Sequence, residues 1–109
     1  MKLPIDVTIS KEKLTNYLLE LRIEDDKSKF LLQAGYEIEL WKQLEEDLRT
    51  QILTQEATLI EQTTFGDVYE ILGTLQGLNG RKLNVVTIWM TEYKTQKTKF
   101  ITLFPDKEK

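Results

Sequence analysis

The chain has 109 residues, 40% hydrophobic and 30% charged, with a net charge of −3 and neither Cys nor His. This composition reads as one soluble globular domain, residues 1–109, long enough to bury a core without disulfides or a metal. The missing thiols and imidazoles exclude cysteine nucleophiles, thiolate and His-based zinc sites, Ser-His triads and histidine-pair ribonuclease chemistry.

Apolar runs stay far below the roughly 18 residues that a membrane-spanning helix needs. Met1–Ser10 also lacks the continuous apolar stretch of a secretory signal. The expectation is a cytoplasmic protein with no cofactor and no metal site. Charge is unevenly distributed. Residues 1–70 hold 8 Lys or Arg against 15 Asp or Glu, a net −7, and residues 71–109 hold 7 against 3, a net +4. Arg81, Lys82, Lys94, Lys97 and Lys99 fall in or beside turns of the basic half. They read either as a spatial cluster that takes RNA or another anion, or as a solvated sheet rim.

Met1–Ile9 is an extended arm with alternating Leu3, Ile5, Val7 and Ile9, suited to lie along the domain or to pair with a strand edge. Pro4 argues against a central strand. Ser10 as an N-cap and Leu14, Tyr17, Leu18 and Leu21 at helical spacing predict a first helix over Lys11–Leu21. Arg22–Asp26 interrupts the apolar stripe and precedes a short second helix through Phe30, Leu31 and Ala34, which Gly35 ends as a C-cap. Lys27 and Lys29 sit in its first turn, where cations oppose the helix dipole and so invite an anion. Ile38, Trp41, Leu44, Leu48 and Ile52 define the buried face of a third helix. Glu45, Glu46 and Asp47 are consecutive and point about 100° apart, which makes a solvated face and not a metal site.

From Thr54 the texture becomes that of strands. Thr58–Thr64 is rich in Thr and Ile, and Phe65-Gly66-Asp67 reads as a turn. Tyr69, Ile71 and Leu75 alternate along a second strand, with Gly73 as a bulge or a point of close approach. Asn79-Gly80 is the strongest local signal, suited to the positive φ angles of a tight hairpin. Leu83–Thr91 carries Leu83, Val85 and Trp89 on one face and Val86, Ile88 and Met90 on the other, the pattern of a central strand. Tyr93–Lys97 is a polar turn, Phe100–Phe104 a last strand and Asp106–Lys109 a charged tail. The fold expected is α+β, with two to three N-terminal helices packed on one face of a four-stranded antiparallel meander.

No phosphate loop, calcium loop or nucleophile elbow is present, and Gly77–Gly80 is a hairpin turn. A ribonuclease without metal or His would have to use Glu70 as base. Arg81, Lys29 or Lys99 would stabilise the phosphorane, and Thr102 or Tyr69 would donate a hydrogen bond. Lys29, Arg81, Lys82, Lys97 and Lys99 are the candidate anion-binding set. Each of these residues has an equally ordinary place on a strand or a solvated rim.

The strings MKLP, KLTNYLL, GYEIELW, FGDVYEI, LNGR, VVTIW and ITLFP together resemble a family of short bacterial proteins, domain-of-unknown-function family 6883, over nearly the whole chain. The resemblance implies no established activity. It implies relatives encoded beside small barrel-like proteins or attached to phage and secreted-toxin proteins. It also implies a layout similar to barnase, colicin and RelE-like ribonuclease toxins, an analogy of fold and not of function. Where relatives carry a His-containing, glycine-rich basic loop, this chain has Arg22–Lys29 with three consecutive acids. The family's Tyr-Gly turn is Phe65-Gly66 here, and its Thr-x-Tyr-Pro is Thr102-Leu103-Phe104-Pro105. Groups able to exchange protons are thus replaced by groups that cannot. The expectation is a non-catalytic protein-interaction module of a toxin-antitoxin-like or mobile-element-associated system, with a protein partner such as the product of an adjacent gene. The alternative is a toxin-type ribonuclease that binds RNA, and a homodimer is a further option.

Overall fold

Ala57–Gln62 (β1), Gly66–Gln76 (β2), Lys82–Glu92 (β3) and Thr98–Pro105 (β4) pair antiparallel in the order β1-β2-β3-β4, the meander anticipated from the short turns. The computed structural model describes residues 1–18 and 27–106, with side chains for all of these except 16–18 and 27–29. β2, β3 and β4 are longer than the composition suggests, and β1 ends at Gln62, short of the Thr64 that the composition implies. The first turn is confined to residues 63–65, and Gly66 and Asp67 already belong to β2, paired with Glu92 and Thr91. β1 and β4 each carry an extra residue in the ladder, Ile60 and Ile101, where the register shifts. Gly73 is not a bulge. It pairs regularly with Val85, and a Cβ there would lie 3.0 Å from Ile52 Cδ1, so it marks a close approach.

The pleat places Leu83, Val85, Thr87 and Trp89 of β3 on one face, all buried. Thr87 is the polar member of that row and has a structural task. Its hydroxyl accepts the Trp89 Nε1–H at 2.8 Å and donates to the Ile71 carbonyl at 3.2 Å, so the buried indole and hydroxyl are both satisfied. Trp89 also meets Phe100 edge to face at 5.2 Å between ring centres.

The helical half is more broken than its periodicity predicts. A wide helical turn covers Lys13–Leu18 and buries Leu14. The Tyr17, Leu18, Lys27 and Lys29 side chains lie outside the described residues, as do Leu21, Arg22–Asp26 and the tail beyond Asp106. The short helix α1, Lys27–Leu32, ends as expected at Gly35. Gly35 has φ +91 and donates to the Leu32 carbonyl, while Tyr36 N–H reaches the Leu31 carbonyl. This is a Schellman ending, which a left-handed glycine makes accessible.

The third helical run is composite: a tight turn Ile38–Leu40, the α-helix α2 over Trp41–Asp47, and a wide turn Leu48–Ile52. Leu44, Leu48 and Ile52 are fully buried, but Ile38 is 44% exposed because it precedes α2 in the tighter turn, where the 3.6-residue period does not apply. Trp41 is half-buried, with the Lys11 and Lys42 ammonium groups 5.1 and 5.6 Å from its ring centre. Asp47 is not part of a solvated acidic face. It is 8% exposed, and it follows Leu44 by three residues, which turns it inward. There it accepts hydrogen bonds from the Tyr36 hydroxyl and, at 2.9 Å, from Gln43 Nε2.

One core cluster joins Leu14, Leu31, Leu44, Leu48 and Ile52 of the helical half with Ile71, Leu75, Val85, Trp89, Phe100 and Leu103 of the sheet. The N-terminal arm contributes Leu3, Val7 and Ile9 to it and leaves Ile5 exposed. It does pair with a strand edge. Thr8 forms a parallel bridge beside Lys99 on β4, with Thr8 N–H to Thr98 O and Phe100 N–H to Thr8 O both at 2.9 Å. At the arm's start, the Met1 carbonyl accepts Ala57 N–H and the terminal ammonium pairs with Glu56. Among the described residues no helix is long and apolar enough to cross a membrane.

Candidate functional site

The second face of the sheet carries the side chains that alternate with the core. Cross-strand register arranges them in rows. Leu72, Val86 and Phe104 form one row, Thr58, Glu70, Ile88 and Thr102 the next, and Glu61, Val68, Met90 and Lys99 a third. Leu72 is 48% and Phe104 39% exposed on either side of the buried Val86. This is a short apolar stripe with a polar margin. Lys99 is tied to Glu92 on the same face, Nζ to Oε1 at 3.7 Å.

The rows decide which of the sequence candidates can act together. Glu70 and Thr102 share a row, separated only by Ile88, so their backbones are about 10 Å apart. Lys99 stands in the next row, opposite Met90, and its ammonium is turned away from them to Glu92. Tyr69 is excluded from the Glu70 row, because adjacent strand residues face opposite sides. Its half-buried ring packs against the core cluster instead. Arg81 lies beyond the Gln76–Lys82 pair, six positions from Glu70 along β2, or about 20 Å.

The basic set is divided in the same way. Arg81 and Lys82 stand at the β2–β3 end, and Lys97 and Lys99 at the β3–β4 end. Nine positions of β3 separate the Lys82 row from the Thr98 row, about 30 Å. The expected cluster of Arg81, Lys82, Lys94, Lys97 and Lys99 is therefore two groups at opposite ends of the sheet. Lys29 is on α1, its side chain outside the described residues.

The β2–β3 connection also differs from a two-residue hairpin. Its last strand pair is Gln76–Lys82, and Gly77 N–H closes the loop on the Arg81 carbonyl at 2.9 Å. Gly80 alone takes a positive φ, +83. Asn79 works through its side chain, accepting Arg81 N–H at Oδ1 and donating from Nδ2 to the Gln33 carbonyl, each at 2.9 Å. The loop thus braces the end of α1 and does not form a phosphate cradle.

At the far end, the Thr63 hydroxyl accepts the N–H groups of Phe65 and Gly66, both at 3.1 Å, and donates to the Gly66 carbonyl. The Phe65 carbonyl accepts Tyr93 N–H at 3.0 Å, which brings the β1–β2 turn alongside the β3–β4 loop. The Tyr93 hydroxyl donates to Asp67 Oδ1 at 2.7 Å, and this bond to a carboxylate raises the phenol's pKa above 10.0. Among the described residues no three acidic side chains gather as a metal-binding group.

No curated protein and no solved structure matches the chain. A family model does: the one described as a domain of unknown function (DUF6883) matches residues 4–107.

Proposed function

The chain belongs to the DUF6883 family, and from that premise we propose that it is a non-catalytic protein-binding module that receives a partner protein on the second face of its sheet. In this reading the helices and the arm back one face and the other is left for the partner. The observation that carries it is the stripe of Leu72, Val86 and Phe104, which exposes two large apolar side chains in register. Desolvating such anchors inside a polar margin is how a small interface gains affinity. The absence of His and Cys from the chain supports binding over proton-transfer catalysis. The resemblance drawn from the sequence supplies the source of the partner, the product of an adjacent gene in a toxin-antitoxin-like or mobile-element setting.

The test is titration calorimetry of the purified adjacent-gene product against wild type, Leu72→Asp and Phe104→Asp. Each substitution should weaken binding at least tenfold while leaving the circular dichroism unchanged. Undiminished binding by both variants, or no binding by wild type, defeats the reading.

A second reading rests on Glu70 and Thr102 sharing a row: a ribonuclease in which Glu70 is the base. It requires that RNA cleavage by wild type be lost in Glu70→Gln. Intact RNA with both proteins removes it.

A further inference from the structure

The sheet end opposite the Asn79-Gly80 loop combines three features that the protein-binding face does not use. Phe65 is 75% exposed, far more than a ring of that size needs for folding. It is presented on a turn held by the Thr63 hydroxyl, so the ring stands on a fixed support. Tyr93, 44% exposed, lies beside it through the Tyr93 N–H to Phe65 carbonyl bond, and its hydroxyl is anchored on Asp67. Lys94 and Lys97 are exposed in the same loop, and no carboxylate among the described residues pairs with either. Asp67, the nearest acid along β2, is already engaged by Tyr93 and Gln62.

We propose that this end of the sheet is a contact site for single-stranded nucleic acid, with a base stacked on the Phe65 ring and the Lys94 and Lys97 ammonium groups against flanking phosphates. The two chemistries alternate along such a strand, a planar π face and then an anion. A run of Asp and Glu satisfies the lysines but offers no π face to Phe65, and a duplex hides its base faces. The acidic excess of the chain lies in residues 1–70, and the local lysines supply the attraction at this end. The site is independent of the protein-binding face, since Leu72 and Phe104 lie elsewhere on the sheet.

Fluorescence anisotropy of a labelled short oligouridine, measured from low to moderate salt, tests the proposal. Wild type should bind with a log–log salt slope of about −1.4, the value for two phosphates neutralised on a single strand. Phe65→Ala should weaken binding roughly tenfold, within the range for loss of one stacked base, and Phe65→Trp should retain it. Lys94→Gln with Lys97→Gln should weaken binding and flatten the salt slope, whereas Arg81→Gln with Lys82→Gln and Leu72→Asp should leave both unchanged. Thermal unfolding of Phe65→Ala at the wild-type midpoint shows that the loss is not one of folding. The proposal is overturned if wild type does not bind at low salt, or if Phe65→Ala binds like wild type. Displacement by polyglutamate as effective as by unlabelled oligouridine also overturns it, and identifies an acidic-peptide surface instead.

Discussion

Asp47 shows how much one residue can hide in a charged string. Read within Glu45-Glu46-Asp47 it looks solvated, yet it stands one helical turn from Leu44 and is carried inward beside Tyr36. A buried carboxylate needs donors, and the Tyr36 hydroxyl and Gln43 provide them. Tyr36→Phe removes one and leaves Oδ2 without it, so it should destabilise the fold by about 1–3 kcal/mol in urea unfolding. Burial, and after it the bond to Asp47, raises the Tyr36 pKa well above its ordinary 10.0. The folded state therefore keeps the phenolic proton at pH values where the unfolded chain loses it. This contribution to stability is complete below about pH 10 and declines as pH rises beyond that. The alkaline slope of unfolding free energy against pH should be shallower in Tyr36→Phe, and equal slopes would show that the phenol is not the group responsible. Thr87 teaches a similar lesson. It is a polar residue in an apolar strand, and an indole two residues later on the same face needs its hydroxyl as an acceptor.

At the scale of elements, turns and caps were legible where a single residue type carries them. Gly35 ends α1 as its position implied, and β3 is central as its two apolar faces implied. The third helical run was legible in its period but not in its changes of pitch, which expose Ile38. Glycines in strands and loops were less legible, because their reason lies in a neighbour distant in sequence. A Cβ at Gly77 would lie 2.1 Å from the Ala34 carbonyl oxygen and 2.3 Å from Ala34 Cβ. One at Gly73 would meet side chains alone, the tip of Ile52 at 3.0 Å and Gln55 Cγ at 3.8 Å. Backbone cannot move aside as a methyl can. Gly77→Ala should thus cost about 3 kcal/mol, at the upper end of overpacking, and Gly73→Ala about 1 kcal/mol. Chemical denaturation of the two variants checks the order, and a reversed order would mean that α1 does not sit against the β2–β3 loop.

At the scale of the whole molecule the arm and the sheet depend on each other. Leu3, Val7 and Ile9 are buried, and each such side chain contributes about 1.5–3 kcal/mol. Their joint loss is comparable with the entire stability of an ordinary domain, about 5–15 kcal/mol. Removal of residues 1–9 also uncovers the β4 edge at Phe100, which Thr8 now occupies. The truncated chain should therefore be unfolded or aggregated by circular dichroism and size-exclusion chromatography; a folded monomer of unchanged stability would contradict this account of the arm. By itself the sequence determined the chemistry on offer: no imidazole or thiol, a meander joined by short turns, and an acidic half before a basic one. Only the tertiary structure decided which of those groups meet. Residue spacing encodes local period, so it can say which side chains share a face of one strand or helix. It does not encode pairing register or the length over which a net charge is spread. Register joins Glu70 to Thr102 and sets Arg81 and Lys97 about 30 Å apart, so that a charge of one sign within a segment becomes two separate sites.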